Sequence, residues 1–127
     1  MTVPNFGIDK LCKVQFIENG IVQLITFDDV YYDNDKLAII IRHLTQLASG
    51  KPFKLLVIAS ESSIITVDGL KLLSSSAAMN YASAKAYVIS SLSQKLMANF
   101  YLKCFKPKKP VKFFKEVDKA KSWLMAI

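Results

Sequence analysis

The sequence predicts an α/β fold: a mixed sheet with an N-terminal antiparallel hairpin followed by βα repeats, in the order ββαβαβαβα. Three observations carry this expectation. Leu55, Leu56, Val57, Ile58 and Ala59 form an unbroken apolar run far too short for a membrane span, as in a strand buried on both faces of a largely parallel sheet. Asn19-Gly20, set between two segments rich in β-branched and aromatic residues, is the dipeptide that tolerates the positive φ angles of a tight hairpin turn. Strand-like and helix-like segments then alternate to the last residue, which implies right-handed crossovers and helices flanking the parallel strands.

Taken in order, Cys12 to Phe16 and Ile21 to Phe27 are the hairpin strands. A helix from about Asp33 to Ser49 carries Leu37, Ile40, Ile41, Leu44 and Ala48 on one face, and Gly50 follows where a left-handed cap belongs. The central strand runs out into the polar loop Ser60, Glu61, Ser62 and Ser63. A second helix, Thr66 to about Tyr81, aligns Leu70, Leu73, Ala77 and Tyr81, with Ser74 and Ala78 small beside them. Ala84 to Ser90 reads as another buried strand. Ser91, with Gln94 three residues on, is a capping-box signature that opens a helix to about Lys103, in which Leu92, Leu96, Phe100 and Cys104 recur every four residues. Pro107 and Pro110 bracket a loop, Val111 to Phe114 is a short strand, and Val117 to Met125 is a last helix with Val117, Ala120 and Leu124 inward and Trp123 as a core anchor.

A chain of 127 residues suits a single domain, spanning residues 1–127, that buries about two thirds of its unfolded surface without staples. Met1 to Lys10 lacks the basic start and apolar centre of a secretory signal, and no run approaches the roughly 20 apolar residues of a spanning helix, so a cytoplasmic, non-transmembrane protein is expected. Cys12 and Cys104 stand far apart with no CxxC, and read as ordinary buried thiols of a reducing compartment. Charge is unevenly spread: residues 1–94 balance eight Lys or Arg against eight acids, and residues 95–127 hold the entire excess of +7.

Reactive constellations are hard to assemble from these residues. His43 has no carboxylate or cysteine at helical spacing, and the serines Ser74, Ser75 and Ser76 have no base within a motif. Asp28, Asp29, Asp33 and Asp35 lack the ladder of a calcium loop, and the last two fall where acids favour the start of a helix. Without a glycine-rich phosphate loop or a metal cluster, the expectation is a protein that is not an enzyme and uses no metal or cofactor.

Two stretches carry a family resemblance. Ile64-Ile65-Thr66-Val67-Asp68-Gly69-Leu70 stands where anti-sigma-factor antagonists have an Asp-Ser-Ser-Gly-Leu type of motif, and Asn99-Phe100-Tyr101-Leu102, Lys106-Pro107, Pro110, Phe114, Ala120 and Trp123-Leu124 resemble the tail of STAS-like proteins common in Bacteroidetes. With its element order, the chain resembles the SpoIIAA-like fold of the STAS domains over nearly its whole length. The resemblance implies a regulatory or protein-interaction module acting through Ser60, Glu61, Ser62, Ser63, Thr66 and Asp68. In STAS antagonists the serine before the motif glycine is phosphorylated, and Asp68 stands in its place here, so that switch does not carry over. Asp68 then reads as a favourable charge behind an N-cap Thr66, or as a permanent imitation of the phosphoserine; Thr66, Ser62 and Ser63 remain candidates for modification.

Lys103, Lys106, Lys108, Lys109, Lys112 and Lys115 crowd the basic end, interleaved with Phe105, Phe113 and Phe114. Strand alternation sets Val111 and Phe113 on one side and Lys112 and Phe114 on the other, so the aromatics read as core and the lysines as a solvated rim. The absence of arginine from this segment weighs against nucleic acid. The alternative function from this end is a small-ligand or anionic-lipid-surface binder, with weak, salt-sensitive lipid contact; a whole-lipid pocket needs more chain than this. An unpaired hairpin edge would also allow a homodimer.

Overall fold

The computed structural model describes residues 6–8, 10–18, 20–49, 51–75 and 82–127. Its main sheet has six strands in the order β1 (Phe6–Ile8), β2 (Cys12–Ile17), β3 (Ile21–Thr26), β5 (Lys54–Ile58), β7 (Ala84–Val88) and β8 (Val111–Phe114). β1, β2 and β3 are antiparallel, and β3, β5, β7 and β8 run parallel. The expected hairpin and βα alternation are therefore present. The apolar run at Leu55 sits in mid-sheet as β5, where Leu55, Leu56 and Val57 are 2%, 0% and 8% exposed.

Strand alternation divides the core in two. Cys12, Val14, Val22, Leu24, Leu55 and Val57 point to one face, where they meet Ile40 and Leu44 of α1 (Asn34–Ala48). α1 packs on α2 (Val67–Ser74), which in turn meets α3 (Leu92–Phe105). Leu56, Ala84, Ala86 and Val88 point to the other face, covered by Ala120 and Leu124 of α4 (Val117–Ala126). The small side chains of β7 let α4 lie close to the sheet. Lys54 fastens its far end by donating from Nζ to the carbonyls of Leu124, at 2.6 Å, and Ile127.

Several expectations need correction. The hairpin edge is not open along its length: β1 pairs Phe6, Gly7 and Ile8 with Val14, Lys13 and Cys12. The hairpin connection is longer than a two-residue turn, since Ile17 pairs with Ile21; Gly20 takes φ +70, and Asn19 lies outside the described residues. The left-handed cap of α1 is Ser49 at φ 52, one residue before the expected glycine; Gly50 lies outside the described residues. Helix α2 ends at Ser74 rather than near Tyr81, with Ser76 to Tyr81 outside the described residues.

Two further strands were not foreseen. β4 (Tyr31–Tyr32) and β6 (Ile64–Ile65) make a two-residue parallel pair beside the main sheet. Segments this short show no periodicity, and only the partner identifies them.

Candidate functional site

The polar loop after β5 is built by hydrogen bonds turned inward. Ser60 N–H donates to Thr26 Oγ1 at 2.8 Å, and Thr26 Oγ1 and Ser63 Oγ share a bond of 2.9 Å. The Ser63 hydroxyl and amide both reach the Ser60 carbonyl, at 2.9 and 3.1 Å. Ser63 is only 4% exposed. Ser62 faces solvent, where its Oγ accepts from the Asp29 amide at 2.9 Å and donates to Asp28 Oδ1 at 3.3 Å. Of the four loop candidates, Glu61 and Ser62 are exposed, while Ser60 and Ser63 hold the loop's shape.

Where β6 leaves the loop, the chain enters α2. Thr66 is its N-cap, and its Oγ1 accepts from Gly69 N–H at 3.2 Å. The same hydroxyl donates to Asp68 Oδ1. Asp68 also accepts from Gly69 N–H at 3.0 Å and, through Oδ2, from Asn34 N–H at 3.4 Å. One carboxylate thus closes the amino ends of both α1 and α2, where helix dipoles favour an anion. The Thr66 hydroxyl foremost holds the Asp68 carboxyl below its ordinary value against the opposing effect of desolvation, and the Asn34 and Gly69 amides each add a smaller lowering. Gly69 makes this approach feasible: a Cβ there would stand 2.6 Å from the Tyr32 carbonyl oxygen and 2.8 Å from Leu37 Cδ1.

Gln94 joins the loop to α3. Its Nε2 donates to the carbonyls of Ser60 at 2.6 Å and Ser63 at 3.0 Å, while its Oε1 accepts from the amides of Ser90 and Ser91 at 3.0 and 3.3 Å. With Ser91 Oγ accepting from Gln94 N–H, the capping box foreseen from sequence is complete. Its second task, gripping the loop, is a long-range contact that no local pattern announces.

The four-residue repeat of α3 lies on its outward face. Gln94, Ala98 and Tyr101 point inward, and the repeat of Leu92, Leu96, Phe100 and Cys104 faces solvent, with the three large side chains 72%, 61% and 39% exposed. Cys104 is an exposed thiol, not a buried one; Cys12 is buried, and burial pushes its pKa up to about 12. Both stripes of this helix contain apolar residues, so periodicity alone could not select the inner one.

The basic candidates lie at the other end of the sheet. Lys106, Lys108 and Lys109 precede β8, at the amino ends of the parallel strands, whereas Ser60 to Asp68 follow the carboxyl end of β5. Lys103, Lys106, Lys108 and Lys112 are exposed, and Lys112 lies 5.5 Å from the centre of the Phe114 ring. Phe113 stacks on Tyr87 and Phe114 packs on Trp123, as alternation required. Loop and rim are thus separate, and α3, about 21 Å long, runs from one end to the other. Sequence reasoning missed Lys85 on β7, which is 1% exposed; burial foremost, and Lys109 beside it, lower its pKa to about 8.

No group of three or more His, Cys, Asp or Glu fit to hold a metal occurs among the described residues, and no helix there is long and apolar enough to cross a membrane. A mixed sheet with an N-terminal antiparallel hairpin and alternating βα elements defines a class, the SpoIIAA-like fold. A solved structure described as an uncharacterized protein from the DUF3478 family with a SpoIIAA-like fold, from Shewanella loihica PV-4, superposes with a TM-score of 0.62 at 13% identity, covering 89% of this chain and 91% of that one. The family described as Domain of unknown function (DUF7793) matches residues 15–127, and the chain belongs to it. No curated protein matches the sequence.

Proposed function

We propose that this domain is a non-enzymatic interaction module, acting in a reducing cytoplasm, whose docking face is the outer stripe of α3 continued onto Glu61, Ser62 and the first turn of α2. The observation that carries this is the exposure of Leu92, Leu96 and Phe100 in one line. Large apolar side chains gathered on a polar domain mark a contact surface. Gln94 supports the reading because it makes the loop and this helix one rigid unit.

Charge selects the partner's chemistry. No Asp or Glu occurs between Asp68 and Glu116, while Lys95 and Lys103 run beside the stripe and Lys106, Lys108 and Lys109 follow it. An acidic segment with an apolar face, as in a helix laid along α3 with its carboxylates against Lys95 and Lys103 and away from Glu61 and Asp68, complements that arrangement. A second copy of the same face would set lysine against lysine, which disfavours a homodimer through α3. Asp68 holds the place at two helix starts that a phosphate would take, so the loop is read as fixed in one state rather than switched.

The test is capture from a native lysate by the wild-type domain and by Leu96→Glu, with α-helical content checked in both. A discrete acidic protein should be retained by the wild type, released by salt and lost by the variant. Equal capture by both proteins would refute the assignment. Sedimentation of the wild type with acidic vesicles at low salt, abolished by Leu96→Glu, would instead give the face to an anionic lipid surface.

A further inference from the structure

Between the sheet and the layer formed by α1, α2 and α3 lies a partly open cavity of about 130 Å³, whose wall is almost wholly apolar and includes Val57, Leu70, Leu73, Met97 and Ala98. Such a void is large for a protein core, since interiors rarely leave gaps beyond the size of a water. An apolar cavity of comparable size, about 150 Å³, stays dry and admits benzene in an engineered protein.

A second observation concerns Tyr101, which also lines this cavity. The residue is 2% exposed, and its hydroxyl has no hydrogen-bond partner among the described residues. Ser74 stands beside it: its hydroxyl donates to the Leu70 carbonyl at 2.9 Å, and its oxygen lies close enough to the Tyr101 hydroxyl to lower that group's pKa against the larger effect of burial, without reaching the geometry of a full hydrogen bond. Buried hydroxyls are almost always bonded, and an unbonded one destabilises the fold unless something else supplies the partner.

We propose that this cavity is a binding site for a small uncharged molecule, a single ring or a short branched chain, carrying one oxygen that hydrogen-bonds to Tyr101. The volume excludes a whole lipid or a nucleotide, whose sites are several times larger. The apolar wall excludes an ion, which would lose its hydration without replacement. This inference does not depend on the docking face of α3, although Gln94 and Ser63 line the same cavity and would register its filling.

Phenol and toluene, of nearly equal size, are suitable probes, followed by thermal unfolding and by NMR shifts of the Met97 and Ala98 methyl groups. Both should raise Tm and shift those methyls, phenol binding roughly three- to tenfold more tightly, as one net hydrogen bond allows. Tyr101→Phe, which removes an unbonded hydroxyl and should fold, is expected to erase the preference for phenol while keeping toluene. Ala98→Leu is expected to abolish both by filling the space. Absence of shifts with either probe in the folded wild type would overturn the site, as would binding unchanged in Ala98→Leu. A phenol preference that survives Tyr101→Phe would overturn the role of the hydroxyl.

Discussion

Replacing Gln94 with Met keeps the length and helix propensity of the side chain and removes its hydrogen bonds. The consequences can be worked from the contacts. The Ser60 carbonyl still accepts from Ser63, but the buried Ser63 carbonyl loses the donor it has among the described residues, for about 1–3 kcal/mol. The Ser90 and Ser91 amides lose Oε1, and half of the capping box goes with it, for about 1 kcal/mol. The total of roughly 2–4 kcal/mol corresponds to a fall in Tm on the order of 10 °C. Urea unfolding by circular dichroism measures it, and hydrogen exchange at Ser60, Ser63 and Ile64 shows whether the loop loosens first. A change below about 0.5 kcal/mol with loop protection intact would refute the claim that Gln94 binds loop and helix together.

Three further outcomes follow from the same contacts. Gly69→Ala gains helix propensity of about 1 kcal/mol, yet its methyl meets backbone at Tyr32, so a net loss of about 1–2 kcal/mol is expected in chemical denaturation; a stabilised variant would contradict the close approach. Asp68 has a lowered carboxyl pKa, so it stabilises the fold above its ordinary value of 3.8 and loses that effect as pH falls through the folded value. Asp68→Asn should therefore be less stable than the wild type at neutral pH, with the gap closing in acid; a gap independent of pH would contradict it. Lys85 is opposite in sign: its pKa falls from 10.5 to about 8, so the unfolded chain binds the extra proton and stability rises between those values. Relative to Lys85→Met, the wild type should gain roughly 3 kcal/mol across that interval, and parallel pH curves would contradict the burial.

The frame was legible because it rests on strong local patterns. The run from Leu55 suggests an interior strand and is one as far as Ile58, and Thr66 and Ser91 announce their helices by side chains that cap the next turn. What escaped reading depends on partners distant in sequence. Gln94 meets Ser60 and Ser63 more than thirty residues away, Tyr31 becomes a strand only against Ile64, and Lys85 is buried by a sheet face that alternation alone would assign to apolar residues. The polar segment does follow β5, but whether each serine turns in or out is set by Thr26 and Gln94 rather than by its neighbours. For α3, with apolar residues on both sides, the packing of Ala98 and Tyr101 against the core decided which stripe was left outside.

The docking face is tested most directly by placing a photo-crosslinking residue at position 96 in living cells, with position 121 on α4 as the control. A discrete adduct with an acidic protein at 96, and none at 121, is the expected result. No adduct at 96, or the same adducts at both positions, would mean that the outer stripe of α3 meets no partner of its own.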